Sequence, residues 1–134
     1  MMQRLRSATS LAVLLGLSTV IACEKQSGTP VVPVSGTVNL DGQPLTEGFL
    51  YFKTIQTGAL ERFDINDGEF KGNAQVGTRR VEICANRPKT MEIDGAAVEV
   101  QENVIDPSFN TESKLIAQVS SEGPNRFRFD VQKK

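Results

Sequence analysis

The chain has 134 residues, with 15 Lys+Arg against 16 Asp+Glu and no histidine. That near-balance, with no long run of like charge, lacks the clustered positive charge a nucleic-acid binder needs. Without histidine there is no Ser-His-Asp or Cys-His hydrolase, no cupredoxin-like copper site and no ordinary catalytic zinc site.

The N-terminus has the three parts of a bacterial export signal. Arg4 and Arg6 give a positive start, Leu11 to Ala22 form a twelve-residue apolar stretch, and small Ala22 precedes Cys23. A transmembrane anchor needs about 20 apolar residues, whereas this stretch stops at Glu24-Lys25-Gln26. Val20-Ile21-Ala22-Cys23 resembles a lipobox. That resemblance implies a diacylglyceryl thioether on Cys23 and signal cleavage between Ala22 and Cys23. At about 0.8 kcal/mol per buried methylene, one acyl chain holds marginally and two or three hold durably. The expected partner is thus the membrane, through the lipid at Cys23, on the periplasmic side of the envelope. Glu24, where aspartate would signal inner-membrane retention, favours the outer membrane. Cleavage removes Arg4 and Arg6 and leaves 13 basic against 16 acidic residues.

The remaining chain is read as a lipidated N-terminus and tether, 23–33, followed by one folded domain, 34–134. Pro30 and Pro33 stiffen the tether. From Val34 the period is two: Val34, Gly36, Val38 and Leu40 alternate with polar residues, and Asp41-Gly42 ends the strand in a tight turn. Gly48 to Lys53 places Leu50 and Phe52 on one face and Phe49 and Tyr51 on the other. Arg62 to Ile65, the turn Asn66-Asp67-Gly68 and Glu69 to Lys71 make a hairpin. Arg79 to Ala85 is a strand ended by Asn86-Arg87-Pro88, and Lys89 to Thr111 is irregular, with a strand over 97–101 and Phe109 tucked inward. Leu115, Ala117 and Val119, then Phe127, Phe129 and Val131, alternate with polar residues across a Gly123-Pro124 turn. No segment after the signal has helical periodicity, so the expected fold is all-β: a single antiparallel β-sandwich of about seven strands.

Candidate sites are few. Asp64-Ile65-Asn66-Asp67-Gly68 suggests a calcium loop, but glycine falls fifth instead of sixth and Gln75 occupies the bidentate position, so a plain hairpin turn is expected and no metal. Arg79-Arg80 and Arg126 with Arg128 are the basic concentrations; Arg126 and Arg128 share one strand face with Asp130, read as a solvated, partly charge-paired face or else a patch for an anionic glycan or partner. Phe49 and Tyr51 are a possible binding face for a sugar ring or a partner, or else pack beneath the 86–111 segment. With Cys23 consumed by lipid, Cys84 has no intrachain partner and reads as a half-buried, unreactive strand cysteine.

Val34-Ser35-Gly36-Thr37-Val38-Asn39-Leu40-Asp41-Gly42-Gln43-Pro44-Leu45, followed by Gly48-Phe49-Leu50-Tyr51-Phe52, resembles the opening of transthyretin-like or carboxypeptidase-regulatory-like domains. Asn66-Asp67-Gly68-Glu69-Phe70 and Val76-Gly77-Thr78-Arg79-Arg80-Val81-Glu82-Ile83 are similar to their turn and following strand, with Val76 where proline is usual and Arg79-Arg80 where Lys/Arg-Tyr is common. Phe109 to Leu115 and Gly123 to Asp130 are similar to the tail of small planctomycete-type lipoproteins of this kind. The resemblance implies a transthyretin-like or Ig-like sandwich and names no ligand. Transthyretin-fold hydrolases of 5-hydroxyisourate need histidines and a C-terminal Tyr-Arg-Gly-Ser, whereas this chain ends Val131-Gln132-Lys133-Lys134. The functional expectation is a non-enzymatic, cofactor-free, lipid-anchored interaction or structural module with an envelope protein or glycan as partner. The alternative is a glycan- or small-molecule-binding lipoprotein using Phe49, Tyr51 and the 86–111 loop.

Overall fold

A computed structural model describes residues 28–134. The expected signal peptide, Ala22, Cys23 and the first part of the tether lie outside the described residues. The rest is almost entirely strand: β1 (Val31–Leu40), β2 (Gln43–Pro44), β3 (Glu47–Lys53), β4 (Leu60–Asn66), β5 (Glu69–Gln75), β6 (Gly77–Cys84), β7 (Asn86–Ile93), β8 (Ala96–Asn103), β9 (Ile116–Val119) and β10 (Asn125–Val131). A single 3-10 turn, Pro107–Phe109, lies between β8 and β9. Among the described residues no helix is long and apolar enough to cross a membrane.

The order β10-β1-β5-β4-β3-β6-β9 makes one continuous sheet that curls into two layers. The fold is at β4–β5, whose strands pair only at Asn66↔Glu69 beside their turn and then splay apart. One layer is therefore β10-β1-β5, with β2 added to β1, and the other is β4-β3-β6-β9. This is the all-β sandwich expected from the period-two pattern. One pair breaks the antiparallel rule: β10 runs parallel to β1, with Val34↔Asn125 through Leu40↔Val131 in register.

Alternation decides which face is buried. Val34, Val38, Phe70, Ala74, Phe129 and Val131 from one layer meet Leu50, Phe52, Phe63, Ile65, Val81, Ile83, Ala117 and Val119 from the other. Phe52 is the hub, in edge-to-face contact with Phe63 at 5.0 Å, Phe127 at 5.7 Å and Phe70 at 6.3 Å. Each such ring contributes about 1.5–3 kcal/mol by leaving water. Gly36 is what lets Phe70 of β5 and the backbone of β10 approach β1 within its own layer: a Cβ there would lie 2.3 Å from the Phe127 carbonyl oxygen and 2.7 Å from the Phe70 ring.

Three Asp-Gly turns set the hairpins. Asp41-Gly42, Asp67-Gly68 and Asp94-Gly95 all have positive φ at both residues, the backbone a two-residue hairpin of right-handed twist requires. The Asp64-to-Gly68 stretch is thus the end of β4 and its turn.

Two sequence expectations need correction. β1 begins at Val31, inside the stretch read as tether, because Val31, Val32 and Pro33 pair with Gln75, Ala74 and Asn73. The strand before Asn86 does end, at Cys84, but Asn86-Arg87-Pro88 opens a further strand, and Lys89 to Asn103 is regular where the sequence suggests the least regular part of the chain. β7 and β8 pair over their whole length, Asn86↔Asn103 to Ile93↔Ala96, as a separate two-stranded sheet. Pro88 is tolerated because β7 has a partner on one side only. Arg79, to which the sequence alone assigns no role, shares the inward parity of Val81 and Ile83 and is 1% exposed.

The two ends of the sandwich differ. The chain enters β1 at the end that carries the β3–β4 loop, the start of β6 and the β9–β10 loop. The Asp41-Gly42 and Asp67-Gly68 turns and the base of the β7–β8 arm lie at the opposite end, where Arg87 donates to the Glu47 carbonyl at 2.8 Å.

Candidate functional site

Phe49 and Tyr51 lie on the outer face of β3, half-buried, with ring centroids 5.4 Å apart in an edge-to-face pair. Register puts Phe49 between Asp64 of β4 and Cys84 of β6, and Tyr51 between Arg62 and Glu82. The rings are not open platforms. The Arg62 guanidinium lies 4.0 Å from the Phe49 centroid, within cation–π range, and Lys53 Nζ lies 5.7 Å from that of Tyr51. Lys53 also pairs with Glu82, which Arg80 approaches at 3.4 Å. The outer face of this layer is a charge-knit strip with the two aromatics at its centre.

Beyond Phe49 the strip opens into a groove of about 660 Å³, running to the base of the arm. Its polar lining comes from Arg62, Asp64, Asn66, Asn86, Arg87 and Gln101. The volume is that of a small-molecule site, and amide, guanidinium and carboxylate groups beside one aromatic edge suit a polyhydroxylated ligand. Asn86, Arg87, Pro88 and Gln101 of the 86–111 segment share this groove with Phe49, and Arg62 lies over the ring.

Cys84 is half-buried and free. Asn110 Nδ2 approaches its Sγ at 2.6 Å and donates to the Ile83 carbonyl at 2.9 Å. Burial pushes the Cys84 thiol above the ordinary range, the Asn110 contact opposing it. A thiol held protonated is a poor nucleophile. Around it the 103–115 segment closes the edge of β6 that β9 leaves unpaired. Asn103 accepts from the Ala85 amide, the Val104 amide donates to Ala85, Ser113 donates to Val81, and the Val81 amide donates to Leu115. Phe109 packs partly buried against the core, as its turn context suggests.

On the other layer Arg126 and Arg128 are exposed as expected, and Arg128 pairs with Asp130 at 3.3 Å. Register adds a residue that sequence reading leaves out: Lys71 of β5 lies across Ser35 from Arg126. Among the described residues no group of three or more His, Cys, Asp or Glu is placed to hold a metal ion.

The most conspicuous surface is the arm. Met91, Ile93 and Val98 are exposed, and cross-strand pairing (Met91↔Val98, Ile93↔Ala96, Lys89↔Val100) puts them on one face with Ala96 and Val100. Thr90, Glu92, Glu99 and Gln101 take the other. The arm is amphipathic, and among the described residues its two strands pair only with each other. No family model, curated protein or solved structure matches this chain.

Proposed function

We propose that this chain is a non-enzymatic, lipid-anchored envelope lipoprotein that acts as an interaction module, with the β7–β8 arm as its contact element. The observation that carries this reading is the arm's apolar face: Met91, Ile93, Ala96 and Val98 stand together in solvent outside the core cluster. A two-stranded hairpin is only marginally stable alone in water, so an exposed apolar stripe on one is best accounted for by a partner that covers it. The described chain enters β1 at the end opposite the base of the arm, which suits a module held to a membrane through its N-terminus and reaching away from it.

The test is site-specific photocrosslinking in cells from Val98, followed by mass spectrometry. One or a few recurrent envelope proteins are expected, with yield lost on Met91→Asp. Crosslinks no more selective than those from Thr37, on the far layer's solvent face, would refute the arm's role. The anchor is tested separately: Cys23→Ser should move the protein from the membrane to the soluble fraction.

A second reading, a glycan- or small-molecule-binding lipoprotein, is favoured by the polar groove beside Phe49. A saturating ligand raises the melting temperature by mass action, equivalent to about 2.7 kcal/mol at a hundredfold excess over Kd. Under this reading a saccharide screen gives such a shift, and Arg87→Ala or Asn66→Ala abolishes it.

A further inference from the structure

Three of the exposed large apolar side chains lie at the end of the sandwich where the chain enters β1. Ile55, in the β3–β4 loop, is 81% exposed; Val31, the first residue of β1, is 60% exposed; Leu60, the first of β4, is 55% exposed. The core does not need them. Val31 pairs through its backbone with Gln75, and Leu60 with Lys53. Pro30, Pro33 and Pro124 are exposed at the same end. Two cations stand just behind this rim, Lys71 and Arg126, which flank Ser35 and border a depression shared with Pro33 and Pro124. Glu122 in the β9–β10 loop is the acidic side chain at the tip.

We propose that this end of the sandwich lies against the bilayer, with Ile55, Val31 and Leu60 among the lipid headgroups and Lys71 and Arg126 facing their phosphates. The proposal rests on lipidation at Cys23. Eight residue steps separate Cys23 from Val31, so whatever path they take they span at most about 28 Å. β1 alone has 10 residues, whose nine steps span about 30 Å at the usual strand rise. A chain acylated at Cys23 therefore cannot turn its far end to the membrane, because the link is shorter than the strand it would have to run beside. The end that must stay nearest the lipid is the one that carries the apolar rim. Apolar side chains of this kind bind an interface by burying their surface at the headgroup–acyl boundary.

The test exploits the absence of tryptophan from the chain. Ile55→Trp and, separately, Met91→Trp each install a single indole in the full acylated protein, reconstituted into phosphatidylcholine/phosphatidylglycerol vesicles with and without brominated acyl chains. Both positions are exposed, so neither variant threatens the fold. In protein that floats with the vesicles, the Ile55→Trp indole is expected to be blue-shifted and quenched about twofold or more, as burial roughly 5–10 Å into the interface requires. The Met91→Trp indole should be unaffected. Leu60→Asp combined with Ile55→Trp should reduce the quenching. Flotation with an unquenched indole at both positions would overturn the apposition while leaving the anchor standing. Failure to float would overturn the anchor and the apposition together. Quenching at both positions would overturn the polarity of the arrangement.

Discussion

Arg79 and Glu61 form an ion pair inside the sandwich, Arg79 fully enclosed and Glu61 at the margin of the core. The guanidinium also donates to the Phe52 carbonyl at 2.9 Å and the Gln75 carbonyl at 3.2 Å, while Glu61 accepts from the Gln75 amide at 3.2 Å. The pair bridges β3, β4, β5 and β6 where β4 and β5 have splayed apart, supplying side-chain hydrogen bonds where the ladder has none.

Removing one partner strands the other. Glu61→Ala leaves a buried cation and should cost about 3 kcal/mol of stability. Glu61→Leu with Arg79→Met removes both charges and should cost less than Glu61→Ala alone. It retains a penalty of about 1 kcal/mol for each carbonyl that loses its donor. Urea midpoints at unchanged slope measure both. A Glu61→Ala midpoint indistinguishable from the parent would mean the pair is solvated and contributes nothing.

Gly36→Ala drives a methyl into the Phe127 carbonyl and the Phe70 ring. Backbone on one side and a packed aromatic on the other leave little room to yield, so a loss of about 1–3 kcal/mol is expected. Gly28→Ala meets nothing within 4 Å and serves as the control, with a change inside about 0.5 kcal/mol. Equal melting temperatures for the two variants would contradict the close packing of Phe70 and β10 on β1.

Acid stability should depend on Asp130. Its carboxyl is held below the usual range, chiefly by the hydrogen bond from Asn39 at 3.0 Å and then by Arg128. A depressed native pKa stabilises fully above the unfolded value of about 3.9, and that contribution fades as pH falls through the native value. Asp130→Asn should therefore flatten the stability–pH curve on its acid limb and leave its shape near neutrality unchanged. Carboxyl shifts followed by NMR give the titration directly; a midpoint in Asp130 at or above the ordinary carboxylate value would refute it.

Cys84 should alkylate slowly at neutral pH. Its thiol is raised by burial, so the rate with iodoacetamide should keep climbing above pH 8.5, about where a free thiol is half ionised. A rate that levels off below that point would indicate an activated thiolate and reopen the question of chemistry at this face.

Most of the sandwich is legible in the sequence because a strand with one wet face must alternate. Val34/Val38, Leu50/Phe52, Ala117/Val119 and Phe129/Val131 turn inward as their period dictates. Arg79 has the same parity as Val81 and Ile83, so the signal for its burial is present. Charge alone argued the other way, and its partner Glu61 is distant in sequence. The arm is harder to read because among the described residues its apolar face is exposed. Met91/Ile93 and Ala96/Val98/Val100 alternate around an Asp-Gly turn, but Pro88 at the entrance reads as a strand breaker unless β7 is known to be an edge. The groove beside Phe49 and the juxtaposition of Lys71 with Arg126 depend on register between strands far apart in sequence, which no local pattern encodes.

The parallel pairing of β1 with β10 has a mechanical consequence. In a chain held at Cys23 and gripped by its arm, load enters the domain along the axis of β1. That strand is flanked by β10 on one side and β5 on the other, each in register over seven residues. Tension along β1 therefore loads both ladders in shear, so their hydrogen bonds bear it together and cannot be unzipped one at a time. If the proposed anchoring holds, a domain loaded this way yields at the separate β7–β8 sheet before β1 is pulled from its two ladders.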